Sequence, residues 1–400
     1  MSSTKFDVQA LRANFPALQQ QDQVYLDNAG GSQVLGAVAD AIRDYLTSSN
    51  VQLGASYSIG RLSTNRVSEG FVAGAKYINA SKDEVVFGGS TTQLFRNLSL
   101  SLTFQAGDEI VVSAIDHEAN IAAWVDLAER QRLTLKWWKP EHSTSPKLTV
   151  ENLKGLLTAK TRLLTLTHCS NILGTIHDIR SITAYAHQFP DVLICVDSVA
   201  YAPHRKIDVK ALDVDFYSFS WYKVYGPHVS MLYASKKAQE HMRSLGHHFN
   251  PSESLADKLG LAAGNYELIS SIPVLVSHLL HEGWEGIKEQ EFTLQALLLE
   301  YLTSRGDVTI YGEKSHDPNT RVPIISFKVD GWGSQELVEA VEQKTNLGFR
   351  WGSFYSQRLI KDILGLDPVD AIVRVSMAHY NTVEEVKAVI AALEGIVVKR

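Results

Sequence analysis

The chain has 400 residues, of which 45% are hydrophobic and 20% are charged, as is typical of a globular protein with two domains. Its formal net charge of −6 argues against sequence-independent binding of nucleic acid or of an anionic membrane, since both need a basic surface. The two cysteines, Cys169 and Cys195, are too few for a disulfide framework or a zinc cluster. The N-terminus has no secretory signal, and no apolar segment approaches the roughly 18 residues of a membrane span. We therefore expect a cytoplasmic enzyme without a metal site.

Between residues 66 and 234, apolar runs alternate with amphipathic stretches. Helices are predicted at 66–78, 119–132 and 179–189. Strands are predicted at 84–87, 109–114, 162–168, 192–197, 216–220 and 229–234. Near-continuous apolar strands separated by helices are typical of a parallel sheet. The pattern thus predicts an α/β fold whose mostly parallel central sheet is flanked by helices on both faces.

The pattern changes after about residue 265. A long helical region at 272–304 precedes strands at 323–329 and 371–378. A last helix begins at Thr382, where Thr382 and Glu385 have the spacing of a capping box. We predict three parts, which are an N-terminal segment (1–20) packed on the small domain, a large domain (21–270) and a smaller α+β C-terminal domain (271–400).

Polar groups follow the ends of five predicted strands. In chain order they are Gly88-Gly89-Ser90-Thr91-Thr92, Asp116-His117, Ser170-Asn171, Asp197 and Lys223. In an open α/β sheet, ligands bind beyond the carboxyl ends of the strands. We therefore expect these groups to converge on one rim and to form one site.

Lys223 lies in the apolar stretch SFSWYKVYGPH (218–228), an unusual setting for a residue type that is seldom buried. Burial lowers the pKa of a lysine, and the neutral amine can form a Schiff base with an aldehyde such as pyridoxal 5'-phosphate. That cofactor also needs an anion beside its pyridinium nitrogen and a seat for its phosphate. Asp197 suits the first need. The hydroxyl residues 90–92, at a predicted helix start, and Ser220 suit the second.

Each of these groups alone has a structural explanation. A strand-end aspartate is usually a turn or cap residue, and a lone histidine such as His117 is more often a structural one. The glycine-rich segment has neither the GxxxxGK[ST] spacing of a nucleotide P-loop nor the GxGxxG spacing of a dinucleotide fold, which argues against a nicotinamide-dependent dehydrogenase. The prediction depends on the order of all the groups along the chain.

In this order the segments resemble the class V aminotransferases of pyridoxal-phosphate fold type I, in the branch that contains the cysteine desulfurases. The resemblance extends from YLDNAGGSQV (25–34) to RVSMAHYNTVEEV (374–386). Its most specific internal segments are DHEANIAAW (116–124), THCSNILGTIHDI (167–179) and VDSVAYAPHRKIDVKALDVDFYSFSWYKVYGPH (196–228).

The resemblance implies a role for each candidate residue. Lys223 would form the Schiff base and move a proton, Asp197 would pair with the pyridinium nitrogen, and His117 would stack on the cofactor ring. Asn171 would contact the hydroxyl side of the ring, and Arg374 would bind the substrate α-carboxylate, a task suited to a bidentate guanidinium. The phosphate would be bound by the hydroxyl residues Ser90, Thr91, Thr92 and Ser220 and, in a homodimer with shared active sites, by the partner subunit's Asn265.

Three positions depart from the pattern of that family. Where desulfurases carry the catalytic cysteine, the segment RWGSFYSQ (350–357) has Tyr355. Tyr222 precedes the lysine in place of a common histidine, and Ala200 replaces a glutamine that contacts the cofactor ring. The chain thus resembles a desulfurase-like subgroup without the cysteine. Within that subgroup it resembles fungal biosynthetic enzymes of the loline-alkaloid kind, which build a ring on an amino acid.

The resemblance implies an enzyme that binds an α-amino acid as an external aldimine and breaks a bond at Cα, with the cofactor ring stabilising the carbanion. Ring-forming C–C bond formation, β-elimination including C–S lysis, and transamination are all open outcomes. A non-catalytic partner protein with the same fold is the alternative of another class. The residues that we expect to shape the outcome, unless they are ordinary core or interface aromatics, are Trp351, Tyr355, Tyr222 and His228.

The cysteines argue against desulfuration. A desulfurase needs a thiolate on a loop that reaches the substrate sulfur. Cys195 lies inside an apolar predicted strand, and Cys169 lies at the end of another. We therefore predict that the protein forms no persulfide from L-cysteine.

Overall fold

The computed structural model describes residues 6–249, 253–260 and 262–397. Residues 1–5 of the predicted N-terminal segment, 250–252 and 261 of the predicted large domain, and 398–400 of the predicted small domain lie outside the described residues. Within the described ranges, no helix is both long and apolar enough to cross a membrane.

The strands form a large sheet, a small sheet and a two-stranded pair. In chain order they are β1 (Val24–Tyr25), β2 (Val85–Gly88), β3 (Glu109–Ser113), β4 (Thr134–Trp138), β5 (Thr161–Thr167), β6 (Leu193–Asp197), β7 (Phe216–Ser220), β8 (Ser230–Ala234), β9 (Val308–Tyr311), β10 (Ile324–Val329), β11 (Leu347–Gly348), β12 (Arg350–Gly352) and β13 (Ile372–Ser376). Each strand that the sequence predicts is present, with its ends displaced by no more than a few residues.

The large sheet has the order β2-β8-β7-β6-β5-β3-β4. Neighbouring strands from β7 to β4 run parallel, whereas β8 is antiparallel to both β7 and β2. The predicted mostly parallel sheet is confirmed. The strand β4 is not indicated by the sequence because it lies at the sheet edge, where its side chains are only partly covered and its apolar pattern is short.

Helices cover both faces of this sheet. Along β3, Val111 belongs to one buried cluster and its neighbours Ile110 and Val112 to the other, as the alternation of side chains across a strand requires. The helices are α1 (Val8–Arg12), α2 (Ala17–Gln20), α3 (Gly36–Ser48), α4 (Ser58–Tyr77), α5 (Thr91–Ser101), α6 (Ala122–Gln131), α7 (Val150–Leu153), α8 (Ile179–Ala186), α9 (Val209–Leu212), α10 (Lys236–Glu240), α11 (Leu255–Leu259), α12 (Tyr266–Ile269), α13 (Ile272–Glu282), α14 (Trp284–Ser304), α15 (Ser334–Glu342) and α16 (Val383–Ile396).

The small sheet is antiparallel, with the order β12-β13-β10-β9, and α14, α15 and α16 contribute to its core. The capping box predicted at the last helix is present, since Thr382 and Glu385 exchange side-chain hydrogen bonds with each other's backbone N–H. The pair β1 and β11 joins the N-terminal part of the chain to this region.

The predicted helical region 272–304 is two helices, which meet at Gly283 with φ of 79°. The first, α13, packs in the core of the large sheet, whereas leucines of α14 belong to the core of the small sheet. The N-terminal segment contacts both regions, because Arg12 pairs with Glu385 of α16 at 2.9 Å and Phe15 packs on Tyr225. The three-part division of the chain stays a prediction.

Candidate active site

The polar groups at the carboxyl ends of the strands line one cavity. Strands β2, β3, β5, β6 and β7 lead into it. The lining residues with polar side chains are Ser90, Thr91, Thr92, His117, Thr167, Asn171, Asp197, Ser220, Tyr222 and Lys223. The structure therefore brings together groups that are distant in sequence, as the sheet-edge rule predicts.

Lys223 ends the short turn Trp221–Lys223 that follows β7, and it is buried between the fully buried Trp221 and Val224. No hydrogen bond to its Nζ is made within the described ranges. Burial lowers the pKa of the ammonium to about 8, helped by the charge of Arg374 and opposed by that of Asp197. A large share of this amine is neutral near pH 8 and able to act as a nucleophile.

Asp197 is the last residue of β6, and its carboxylate accepts a hydrogen bond from the N–H of Val199 at 2.9 Å. Burial raises the pKa of this carboxyl to about 6, and the Val199 N–H and the charge of Lys223 oppose the rise. Within the described residues no cationic side chain forms a salt bridge with Asp197. A buried carboxylate without such a partner is suited to pair with a cationic ligand nitrogen.

The loop after β2 presents hydroxyl groups at the start of α5. Ser90 caps this helix by accepting a hydrogen bond from the N–H of Gln93, and Thr91 begins it. The hydroxyl of Thr91 lies 2.9 Å from that of Ser220, which in turn lies 2.6 Å from that of Ser230. Hydroxyls at the N-terminus of an eleven-residue helix form a seat suited to a phosphate.

His117 follows β3 and accepts a hydrogen bond from the N–H of Ala119 through Nδ1 at 3.1 Å. Burial, together with the positive charges of Lys223 and Arg374, lowers the pKa of its imidazole to about 4. His117 is therefore neutral at physiological pH. Its ring centroid lies 5.4 Å from that of Tyr355, a side chain that is 75% exposed.

Arg374 is a buried residue of β13, and three chain segments hold its guanidinium. Nη2 donates to Asp27 at 2.8 Å, Nη1 donates to the carbonyl of Asn171 at 3.1 Å, and Phe354 covers one face at 3.7 Å. Nε is buried and has no hydrogen-bond partner among the residues that the structure describes. A buried guanidinium with an unused donor is suited to receive a carboxylate.

Asp27 and Phe354 are site residues that sequence reasoning missed. Asp27 lies in the quoted segment 25–34, but nothing in the sequence relates it to Arg374, 347 positions away. Phe354 lies beside the position of the absent cysteine, and its carbonyl accepts a hydrogen bond from the side-chain amide of Asn171 at 3.0 Å. That amide is also bonded through its oxygen to Ser356, so Asn171 holds the loop 353–356 against the cavity.

Five predicted residues do not line this cavity. Two of them, Arg374 and Tyr355, lie next to it, since Arg374 donates to the carbonyl of Asn171 and Tyr355 packs on His117.

The other three lie elsewhere. Trp351 packs against the core of the small sheet. His228 is exposed and stacks on Tyr222 with ring centroids 4.8 Å apart. Asn265 is exposed. It lines a separate cavity together with Gly88 and Gly89, which precede Ser90 in the loop after β2, and with Gln93 of α5.

The donor set fits pyridoxal phosphate. A free buried amine, a buried carboxylate without a cationic partner and hydroxyls at a helix start are the three groups that this cofactor needs, and they share one cavity. Lys223, Asp197 and the residues Ser90, Thr91, Thr92 and Ser220 would hold its aldehyde carbon, ring nitrogen and phosphate, respectively.

Comparison with known families agrees with this donor set. The family described as aminotransferase class-V matches residues 24–389. The chain belongs to this family. As a class V aminotransferase-family protein it is a pyridoxal-phosphate-dependent enzyme, as the sequence predicts.

Three relatives of this family member are fungal proteins. It is 53% identical to aminotransferase-like protein FGM3 of Gibberella zeae, over 99% of this chain and 100% of that protein. It is 41% identical to cysteine desulfurase-like protein ustD of Aspergillus flavus, over 98% of this chain and 91% of that protein. It is also 41% identical to the nonribosomal peptide synthetase-like enzyme fsqF of Aspergillus fumigatus, over 96% of this chain but only 26% of that enzyme.

Solved structures confirm the fold of this class V family member. The apo cysteine desulfurase of Thermococcus onnurineus superposes with a TM-score of 0.88 at 22% identity, covering 99% of both chains. The cysteine desulfurase CsdA of Escherichia coli superposes with a TM-score of 0.85 at 25% identity, covering 98% of both chains. The expected fold type I architecture and its desulfurase-like character are therefore confirmed, whereas the roles of the individual site residues stay predictions.

Proposed function

We propose that this enzyme binds an α-amino acid and catalyses ring-forming, Mannich-type C–C bond formation of the loline-alkaloid kind, without forming a persulfide. The observation that carries this proposal is the loop beside His117, which presents Tyr355 where a desulfurase needs a cysteine. A phenol cannot accept sulfur from a substrate, so chemistry at carbon is favoured over desulfuration.

When bound, pyridoxal phosphate supplies an aldehyde that captures amino groups and a ring that accepts the electrons of a broken bond at Cα. The chain's own residues supply the rest. The Lys223 amine, with a pKa near 8, can take up and return a proton near neutral pH. Asp197 holds a negative charge at the base of the cavity, and Arg374 orients the substrate carboxylate, which limits the substrate to few poses.

The two cysteines cannot replace the absent loop thiol. Cys169 and Cys195 are both buried, at 1% and 0% exposure. Burial raises the pKa of both thiols, so little thiolate is present at physiological pH. The Cys169 Sγ also lies 3.4 Å from the carbonyl of Gly174, a contact that fixes it in the turn after β5.

The relatives support a biosynthetic role. One of them is named as a nonribosomal peptide synthetase-like enzyme, and this chain matches 26% of its length. The exposed aromatic side chain of Tyr355 stands beside His117, where it can shield a reactive substrate from water. We propose a cytoplasmic location and a homodimer in which Asn265 serves the phosphate site of the neighbouring subunit.

The test supplies the holoenzyme with L-cysteine, and separately with a panel of amino acids in the presence and absence of a small aldehyde. Products and the protein are analysed by mass spectrometry, with Lys223→Ala as the inactive control. We expect no alanine and no protein-bound persulfide from cysteine, and a lysine-dependent C–C adduct or cyclic product from one of the panel. Alanine formed at a catalytic rate with persulfide on Cys169 contradicts the proposal. Pyruvate, ammonia and sulfide favour C–S lysis instead, and a keto acid favours transamination.

A further inference from the structure

Asp27 bridges two arginines at the edge of the site. Its Oδ1 accepts from Nη2 of Arg374 at 2.8 Å, and its Oδ2 accepts from Nη1 of Arg350 at 3.3 Å. A backbone bridge to Ser376 fixes Asp27 beside β13. A Cβ on Gly30 would lie 2.7 Å from Oδ2 of Asp27, so the glycine leaves room for this carboxylate.

The guanidinium of Arg374 already shares its charge with Asp27. Nη2 donates one hydrogen bond to Asp27, Nη1 donates one to the carbonyl of Asn171, and Phe354 covers one face. Its other N–H groups, including that of the buried Nε, make no hydrogen bond within the described residues. A substrate carboxylate that binds to Arg374 therefore competes with Asp27 for the same guanidinium. The negative charge of the substrate also lies close to the negative charge of Asp27.

We propose that Asp27 is a positioning residue that weakens and adjusts carboxylate binding by Arg374, and that Arg350 moderates it by sharing the Asp27 charge. This inference rests on the proposed function, in which Arg374 receives the substrate carboxylate. On substrate binding, Arg350 retains Asp27 while the incoming carboxylate takes a larger share of Arg374. The affinity of the enzyme for amino acids therefore depends on the Asp27 carboxylate, which competes with the substrate carboxylate for Arg374.

The proposal predicts opposite effects from two charge-removing substitutions. Asp27→Asn keeps an oxygen that can accept from Arg374 but removes the competing charge, so carboxylates bind more tightly. Arg350→Gln leaves the whole Asp27 charge to Arg374, so carboxylates bind more weakly. We expect each variant to change the dissociation constant by about three- to tenfold, as a single charge in a partly buried site does.

A second readout is the pH dependence of Lys223. The charged or titratable groups that act on this amine are Arg374, Asp197, Asp27 and Arg350, and the neutral His117 also faces it. Asp27 raises and Arg350 lowers the pKa of the free Lys223 amine. The two charges act in the same direction on this nitrogen when it is bonded to the cofactor, so Asp27→Asn should shift the pH midpoint of the holoenzyme's visible absorption downward and Arg350→Gln should shift it upward. A purely structural role for Asp27 would not produce this opposition.

The experiment uses propanoate, a carboxylate without an amino group, as the probe. Its binding to each holoenzyme is measured by the change in visible absorption, together with the pH midpoint. Asp126→Asn is the matched control, because Asp126 forms an exposed ion pair with Arg130 at 2.6 Å on α6, away from the cavity. This control should leave both readouts unchanged.

The double variant decides whether Arg350 acts through Asp27. If it does, Arg350→Gln has less than a twofold effect on propanoate binding in the Asp27→Asn background. An equal loss in both backgrounds means that Arg350 contacts the carboxylate itself and overturns the proposal. Weaker or unchanged binding by Asp27→Asn overturns it as well, while the proposed function stands. A wild-type holoenzyme that gives no response to propanoate contradicts the carboxylate role of Arg374 and this proposal together.

Discussion

At the scale of single residues, burial moves the pKa of Lys223 and that of Asp197 toward each other. The lysine falls to about 8 and the aspartic acid rises to about 6, although each partly stabilises the charge of the other. Both groups therefore titrate within about two units of neutral pH, where a proton can be moved at low cost. The same burial leaves the thiols of Cys169 and Cys195 protonated and unreactive.

Lys223→Ala should abolish covalent attachment of the cofactor and lower turnover by several orders of magnitude, because the chain then lacks the buried amine of the cavity. Borohydride reduction of the wild-type holoenzyme followed by peptide mapping should place the label on Lys223. The exposed Lys237→Ala is a suitable control. Label on a different lysine, or turnover near the wild-type rate in Lys223→Ala, would show that the assignment is wrong.

Asp197→Asn should lower turnover by about 10²-fold or more while the protein keeps its cofactor, because a neutral amide cannot hold a positive charge on a ligand nitrogen. The absorbance of the cofactor measures its retention, and single-turnover kinetics measures the chemical step. Full cofactor retention with normal turnover would remove Asp197 from the mechanism.

At the scale of secondary-structure elements, the sequence predicts the buried strands well and the edges poorly. Strands β5, β6 and β7 are buried on both faces, so they read as continuous apolar runs, and their polar ends identify the cavity. The edge strand β4 and the loop 353–356 carry no such pattern. The ion pair of Asp27 with Arg374 joins residues near the two ends of the chain. It depends on how the small sheet packs against the rest of the protein, and the hydrophobic periodicity of the sequence does not indicate that packing.

Gly283 gives a testable case at this scale. It separates α13 from α14 with φ of 79°, a conformation that costs an L-residue about 1 kcal/mol or more. Gly283→Ala should therefore lower the midpoint of thermal unfolding, although, its chain neighbours aside, no atom of the described residues lies within 4 Å of the added Cβ. Gly306→Ala is the matched control, since its Cβ also meets open space and its φ is not positive. An equal effect from both substitutions would show that φ at Gly283 does not limit stability.

At the scale of the whole molecule, buried histidines and buried aspartic acids have opposite effects on the pH dependence of folding stability. Burial raises the pKa of Asp116 to about 7 and that of Asp197 to about 6, so unfolding releases their protons in mild acid. Buried histidines with a lowered pKa take up protons on unfolding in the same range. Those with the largest shifts are His117, whose pKa falls to about 4, and His168, His177 and His379, whose pKa falls to about 3. The histidines outnumber the aspartic acids among these groups.

Stability should therefore decrease as the pH falls from about 6.5 toward 4. A buried histidine with a depressed pKa stays neutral in the folded protein in this range, whereas it becomes protonated in the unfolded chain, which favours unfolding. His177→Gln should reduce this dependence by up to about 1.4 kcal/mol per pH unit, the value for one proton. The measurement is the free energy of unfolding in urea at several pH values, with the exposed His241→Gln as control. A pH dependence that is unchanged in His177→Gln would contradict the role of this histidine.

The surface of the chain offers an explanation for how Asn265 could serve a phosphate site without lining the cavity of its own subunit. Exposed apolar side chains cluster on the mutually packed helices α3, α4 and α13, and they include Leu46, Leu62, Val72 and Leu280. Exposed apolar side chains on neighbouring helices are typical of an interface between subunits.

Complementation between two inactive variants tests the shared site. If Asn265 serves the neighbouring subunit, a mixed dimer of Lys223→Ala and Asn265→Ala subunits contains one intact site, because the lysine comes from one subunit and the asparagine from the other. When the two variants are mixed under conditions that allow subunit exchange, each mixed dimer should then have about half of the activity of a wild-type dimer. If Asn265 serves its own subunit, every site in the mixed dimer lacks one residue and no activity above that of Asn265→Ala alone is gained. Leu62→Glu should weaken the dimer and lower activity in proportion, as measured by sedimentation at the assay concentration, whereas a fully active monomer would contradict the shared site.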